Sequence, residues 1–305
     1  MTEPLITLSH VTMTFGRQVA VRDVSLALNS GECVGLVGHN GAGKSTLIKL
    51  MLGLIRPTGG HVHALGGDPA GAAAGRARVA LGYLPENVAF QPAMTGAETL
   101  AFYARLKRQD VRGNAALLAK VGLEQAARRR VGTYSKGMRQ RLGLAQALLG
   151  SPRALLLDEP TTGLDPAARQ DFYALLRDLR DGGVGVLLSS HALAEMEGQV
   201  DRVVVMNAGH KVADGSLNDL RALAGTRPRL VVRLAGAPRA VVNVPDRWIG
   251  WRMICDDVLD IECDEADLPA LMRTLPQEVI EVDIARPSLD DVYAAFLRGK
   301  AAARC

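Results

Sequence analysis

The stretch Gly38-His39-Asn40-Gly41-Ala42-Gly43-Lys44-Ser45-Thr46 decides how the rest of this 305-residue chain is read. Gly38 and Gly43 bracket four residues, and a lysine and a hydroxyl follow, which is the pattern of a loop that wraps polyphosphate. Ahead of it, Cys33-Val-Gly-Leu-Val37 is an apolar run of strand length. Behind it, Leu47, Ile48, Leu50, Met51 and Leu52 supply the apolar positions of a helix. In that setting the glycines at 38, 41 and 43 let the backbone turn its N–H groups inward, and an anion at the helix start gains from the helix dipole. Residues 38–46 are therefore the expected nucleotide contacts. Lys44 is expected to reach the β and γ phosphates, and Ser45 to place its hydroxyl on Mg²⁺.

Outward from this loop, strands and helices alternate. Upstream, Leu5 to Val11 reads as a strand and Val19 to Leu28 as extended or paired chain. Phe15-Gly16 lies between them, and an aromatic there suits stacking on adenine as well as plain core packing. Downstream, His61 to Leu65 reads as a strand with both histidines on one exposed face, and residues 80–84 as another, ended by Pro85-Glu86-Asn87. From about residue 87 to 150 the composition turns helical. Thr95 with Glu98 makes a capping box for a helix to Lys107, Ala115 to Val121 gives a second, and Ser135 to Leu149 a third. Core packing is the plain alternative for Phe102, whose other reading comes with the resemblance below, and Arg128-Arg129-Arg130 reads as a solvated helix end. Ala154-Leu-Leu-Leu157 is a short buried strand ending in Asp158-Glu159, Pro166 opens a helix, and Val184 to Ser190 is a strand followed by His191. The predicted class is α/β with a largely parallel sheet, whose ligands bind at the carboxyl ends of the strands.

Near Gly225 the pattern changes to short alternating runs around a helix at Leu268 to Leu275. A last helix is capped by Ser288 and Asp291, with Val292, Phe296 and Leu297 as its apolar face. The expected organisation is a nucleotide domain over 1–224 and a small α+β domain over 225–305. Residues 225–305 carry 11 basic and 13 acidic side chains, so the chain's net charge of +4 comes from upstream. That argues against a basic nucleic-acid-binding tail. No apolar run approaches the roughly 18 residues of a membrane span, and the start Met1-Thr-Glu-Pro-Leu5 lacks the basic and apolar segments of a leader, so a soluble, cytoplasmic chain is expected. Cys33, Cys255, Cys263 and Cys305 form no Cys-x-x-Cys pair and are expected to be buried or idle thiols.

The loop at 38–46 is shared by many nucleotide-binding classes, but the accompanying series is narrower. Tyr134-Ser-Lys-Gly-Met-Arg-Gln-Arg141, Asp158-Glu159, Thr162-Gly-Leu-Asp165 and His191 follow in that order. Over residues 1 to about 224 this series resembles the ATP-binding subunits of ABC transporters. The resemblance implies that Asp158 holds the Mg²⁺ shell, that Glu159 orients or deprotonates the attacking water, and that His191 ties the γ-phosphate to Glu159. It also implies that Ser135 and Gly137, with Asp165, serve the ATP held by a second copy of the chain in a head-to-tail homodimer. The signature departs from the usual Leu-Ser-Gly-Gly-Gln but keeps the serine and second glycine. Glu86 stands where many members carry a metal-contacting glutamine.

Three further runs, Gly82 to Val88, Tyr134 to Gly150 and Pro287 to Tyr293, resemble the ATPase subunits of Nos-type transporters, which serve copper-site assembly in nitrous oxide reductase. That resemblance implies a polytopic membrane subunit and a periplasmic accessory protein as partners, a peripheral place on the inner membrane, and no nucleic acid. It also implies that the helical region from Asn87 to about Arg130, with Phe90, Pro92, Met94 and Phe102, docks the membrane subunit. Two other readings stay open: the ATPase of a drug or lipid exporter, and a soluble ABC ATPase of translation or repair. The usual double cassette of the translation type and the inserted coiled coil of the repair type are both missing from this sequence.

Overall fold

The computed structural model describes residues 3–72, 74–191, 196–225, 227–235, 250–255, 257–275 and 278–302. Cys305 lies outside them, as does the side chain of Leu297. The chain divides into two compact units, 1–216 and 217–305.

In the first unit, β1 (Ile6–Phe15) and β2 (Gln18–Leu28) form an antiparallel hairpin, and β4 (Gly59–Ala64) pairs with the other side of β1. A second, six-stranded sheet has the order β5 (Leu81–Leu84), β6 (Ala154–Leu157), β7 (Gly185–Ser190), β3 (Cys33–Val37), β8 (Arg202–Asn207), β9 (His210–Gly215). All its pairings are parallel except β8 with β9. Strands β3, β6 and β7 are buried at every position, as the continuous apolar runs of a doubly covered parallel sheet require. Helix α1 (Lys44–Met51) follows β3 and joins residues of both sheets in one apolar cluster that includes Leu8, Val24, Leu36, Leu47, Ile48 and Met206. Each such buried aliphatic side chain stabilises the fold by about 2 kcal/mol relative to leaving it in water.

Helices α3 (Gly96–Leu106), α4 (Asn114–Lys120) and α5 (Lys136–Ala147) occupy the stretch between β5 and β6, and the short α2 (Gly75–Val79) precedes β5. The Thr95–Glu98 capping box forms as its residue types suggest, with both reciprocal bonds made. One reading of this region needs correction: Phe102 is 47% exposed, edge-to-face against Tyr103 at 5.4 Å, so its plain reading as core fails. Arg128, Arg129 and Arg130 are exposed as expected, and Arg130 bridges to Thr95 at the start of the short 3-10 helix Val131–Thr133. His61 and His63 point outward on β4, alternating with buried Val62 and Ala64.

In the second unit, β10 (Arg229–Leu234), β11 (Gly250–Cys255), β12 (Val258–Glu262) and β13 (Val279–Ala285) make an antiparallel sheet of order β11-β12-β10-β13. Period-two alternation puts Leu230, Val232 and Leu234 with Leu259, Ile261 and Cys263 in one core, joined by Leu268 and Leu271 of α8 (Leu268–Met272). On the opposite face Asp260 is buried and accepts from the Arg229 guanidinium. Helix α7 (Leu217–Ala224), which the sequence reading left upstream of the break, belongs to this unit. The final helix α9 (Leu289–Ala302) opens on the Ser288–Asp291 capping box, with Val292 buried. Burial holds the Cys33 thiol up at about 12, so it is inert at neutral pH; Cys263 is also buried and Cys255 exposed.

Candidate active site

Four parallel strands, β5, β6, β7 and β3, lie side by side, and the chain leaving the carboxyl end of each delivers one part of the site. After β5 comes Glu86, after β6 Asp158 and Glu159, after β7 His191, and after β3 the loop 38–46. They meet in a cleft of about 480 Å³ whose lining includes Phe15, His39 through Thr46, Glu86, Asp158, Glu159 and His191. Gln18, Val19 and Ala20, which the sequence did not flag, complete the wall together with Thr162 of the Thr162–Asp165 run.

The loop is a backbone cradle that tolerates no side chain at two of its glycines. Gly43 has φ +104, and a Cβ there would fall 2.6 Å from the Ala20 carbonyl oxygen; one at Gly38 would fall 2.7 Å from that of Met206. Because Gly43 caps α1 from the left-handed region and supplies no side chain, no side-chain acceptor closes the helix start. Lys44 is 7% exposed and folds back, donating to the Gly38 carbonyl at 2.5 Å, with its Nζ 3.7 Å from Glu159 Oε1.

Glu159 is the hub of the site. It is buried, sits at φ +49, and receives a hydrogen bond on Oε2 from His191 Nδ1 at 2.7 Å. Its own N–H donates to Ser189 Oγ at 2.9 Å, and that hydroxyl donates to Asp158 Oδ1 at 2.6 Å. Glu86 is exposed at the cleft wall; its charge and that of Asp158 add to burial in raising the Tyr83 phenol. The oxygen donors Ser45, Asp158 and Glu86, all in the wall of one cleft, are the ligand type that a small hard cation such as Mg²⁺ takes, so the residues fit that ion.

Four expected contact residues lie off the cleft wall. Ser135 caps α5, its Oγ accepting from the Met138 N–H at 3.1 Å. Asp165 caps α6 (Pro166–Asp181) by accepting from the Ala168 N–H at 2.8 Å. Gly137 packs against the turn before α6: a Cβ there would be 3.3 Å from the Gly163 carbonyl oxygen. Gly38 contributes its carbonyl to Lys44 without itself lining the cleft. Ser189 is the residue the sequence reading missed. Its signal was a pair of serines closing a strand that is otherwise apolar, two positions before His191.

The ABC transporter family model matches residues 21–162. An uncharacterized ABC transporter ATP-binding protein of Bacillus subtilis, YdbJ, is 31% identical over 99% of this chain and 97% of its own. The Nod factor export ATP-binding protein I of Bradyrhizobium diazoefficiens is 40% identical over 70% of this chain and 71% of its own. Among solved structures, an ATP-binding subunit of an ABC transporter superposes with a TM-score of 0.67 at 31% identity, covering 72% of this chain and 93% of that one. A dimeric bacterial ABC transporter cassette gives 0.64 at 25%, covering 70% and 98%. With its loop, carboxylate pair and histidine gathered at the ends of parallel strands, and relatives of this extent, the chain belongs to the ATP-binding subunits of ABC transporters.

Proposed function

We propose that this chain is the ATP-hydrolysing motor of an ABC transporter and works as a head-to-tail homodimer. The observation that carries hydrolysis is Glu159, a buried carboxylate held between His191 and Lys44 beside the phosphate cradle. When ATP enters, Lys44 exchanges the Gly38 carbonyl for the β and γ phosphates, and Glu159 loses its cation and can take a proton from the attacking water. His191 Nδ1 keeps that carboxylate aimed while its ring faces the γ-phosphate. Ser45, Asp158 and Glu86 are the residues that would hold Mg²⁺, whose charge offsets that building on the β and γ oxygens. Phe15, 50% exposed in the cleft wall, is placed to stack on adenine. Ser135, Gly137 and Asp165 lie off this cleft, which fits their service to the partner's nucleotide. Steady-state ATPase of the purified chain tests the reading, with Glu159→Gln as the inactive control.

The motor is assigned to the cytoplasmic face of the inner membrane, as a peripheral subunit; no helix among the described residues is long and apolar enough to cross a bilayer. Phe102 and Leu106 expose apolar area on α3, with Phe90 and Tyr103 beside them, and form the surface offered to a polytopic membrane subunit. The 217–305 unit is assigned to dimerisation or regulation, because none of the cleft residues comes from it. For cargo, the likeness of the Gly82, Tyr134 and Pro287 runs to Nos-type ATPases supports copper or sulfur delivery for the nitrous oxide reductase centre, with a periplasmic accessory protein in the complex. The Nod factor export relative favours a second reading, the ATPase of an exporter such as the drug or lipid type. Spectroscopy of the reductase from a strain carrying Glu159→Gln separates them. A missing copper-sulfur centre supports the first, and a complete one removes it while leaving the motor intact.

A further inference from the structure

Asp158 and Glu159 are neighbours in sequence, yet the two carboxylates have different work: one is read as a metal ligand and the other as the group that handles water. Something must hold them in different orientations. Ser189 is fully buried on β7, and β7 pairs in parallel with β6, which leads into the two acids. A serine hydroxyl has one hydrogen and two lone pairs. Here the hydrogen goes to Asp158 Oδ1 at 2.6 Å and a lone pair receives the Glu159 N–H at 2.9 Å. One atom therefore fixes the side chain of the first acid and the backbone of the second. Glu159 needs that anchor because φ +49 is a left-handed conformation, which costs a glutamate on the order of 1 kcal/mol.

We propose that Ser189 is a positioning residue for ATP hydrolysis, its hydroxyl locking Asp158 and Glu159 into separate roles. The proposal rests on the reading of those two acids as metal ligand and water-handling base. Its consequence is specific. With Oδ1 engaged by Ser189, Asp158 presents its other oxygen to the cation, and the Glu159 backbone turn aims that carboxylate at the water instead of at the metal. Without the hydroxyl, Asp158 is free to rotate and Glu159 has a buried N–H with no acceptor, a defect felt at the reacting end of the cleft and not along the nucleotide. Residues that orient a metal-binding group typically change affinity or activity by about 10- to 100-fold when lost.

The test compares the full-length wild type with Ser189→Ala and Ser189→Thr, the latter keeping the hydroxyl. ATP turnover, Mg²⁺ titration of the rate, binding of a fluorescent ATP analogue with and without Mg²⁺, and thermal melting are measured on each. In the alanine chain kcat should fall about 10- to 100-fold. Its KM for ATP should stay near the wild-type value, and the Mg²⁺ concentration giving half the maximal rate should rise. Analogue binding should match the wild type without Mg²⁺ and at saturating Mg²⁺ and weaken only at limiting Mg²⁺, and threonine should recover most of the rate. A merely structural serine would lower the melting temperature and leave the Mg²⁺ midpoint and the kcat-to-KM split unmoved, which overturns the proposal. So does equal loss in alanine and threonine. Should the alanine chain not accumulate folded, Ser189→Cys, close in size with a weak donor, takes its place under the same criteria. If the wild type has no ATPase activity, or Glu159→Gln keeps it, the underlying reading of the acids falls. If those two behave as expected and Ser189→Ala turns over at the wild-type rate, only the role of Ser189 falls.

Discussion

Helices α1 and α5 both begin at a motif that contacts nucleotide in this family, but their first turns are built in opposite ways. Helix α1 starts from a left-handed glycine with no side-chain cap, inside a cleft its own chain completes. Helix α5 starts from Ser135, whose Oγ already accepts the Met138 N–H, and it lies off that cleft. The first start keeps its anion-binding groups open for a ligand of its own chain. The second already engages its serine oxygen with one first-turn N–H, and in the proposed dimer its start serves the partner's nucleotide instead of its own. In the proposed head-to-tail dimer these two starts are the two halves of one composite site, and mutations in each half should fail in different ways.

The largest effect is expected at Glu159, which belongs to the α1 half. Glu159→Gln should lower turnover by about 1000-fold, within the range for loss of a positioned base. It should leave ATP affinity in place and accumulate a closed dimer, visible by size-exclusion chromatography with ATP and Mg²⁺. A variant that stays monomeric under those conditions breaks the composite model. In the α5 half, Ser135→Ala with Gly137→Asp should cut hydrolysis by about 100-fold with ATP binding nearly unchanged, because a lost transition-state donor costs that much without reaching the chain's own nucleotide. Since Gly137 packs against the Gly163 carbonyl, Ser135→Ala alone is the cleaner probe of the same half. Mixing the double variant with Lys44→Ala chains should restore one competent site of two, and no recovery would count against head-to-tail pairing.

Lys44→Ala should act on binding itself, weakening ATP affinity by about 10- to 100-fold through loss of a charge-assisted contact. The fold adds a feature that the motif alone does not contain: Lys44 sits 3.7 Å from Glu159 and 2.5 Å from the Gly38 carbonyl, so ATP must draw it from partners it already has. Affinity measured by analogue fluorescence then reports an exchange, and Glu159→Gln, by removing one partner's charge, should bind ATP at least as tightly as the wild type. Weaker binding by that variant would mean that Glu159 does not hold Lys44 back.

Much of this was legible because the signals are local. The runs Cys33–Val37, Ala154–Leu157 and Val184–Ser190 lack polar alternation and match buried parallel strands, and both capping boxes depend on residues three apart. What escaped depends on partners far along the chain. Strands β8 and β9 were passed over, since β9 mixes His, Lys and Asp and is a strand by virtue of its pairing with β8. The Ser189 bridge spans 31 residues to Asp158 and exists only because β6 and β7 are adjacent. Phe102 reads as core by residue type, and only the packing of α3 leaves it outside.

The smallest expected effect tests how metal handling is divided along the cleft wall. Glu86 is exposed on the same cleft wall as Asp158, and burial, with the Asp158 and Glu86 charges adding to it, raises the Tyr83 phenol. A carboxylate at this position attracts a divalent cation more strongly than an amide does, but it also repels the γ-phosphate that the cation must bridge. Glu86→Gln removes one formal negative charge and keeps the shape. The two terms oppose each other, so the net change is expected to be a shift of about two- to five-fold in the Mg²⁺ concentration giving half-maximal ATPase rate, comparable to 0.4–1 kcal/mol for one partly screened charge. Affinity for ATP without Mg²⁺ should rise slightly in the same variant, because only the repulsive term then acts. An unchanged titration would place Glu86 outside the metal's reach and leave Ser45 and Asp158 as the protein's oxygen donors, while the Ser189 experiment would keep its force, since that bridge acts on Asp158 alone among the three.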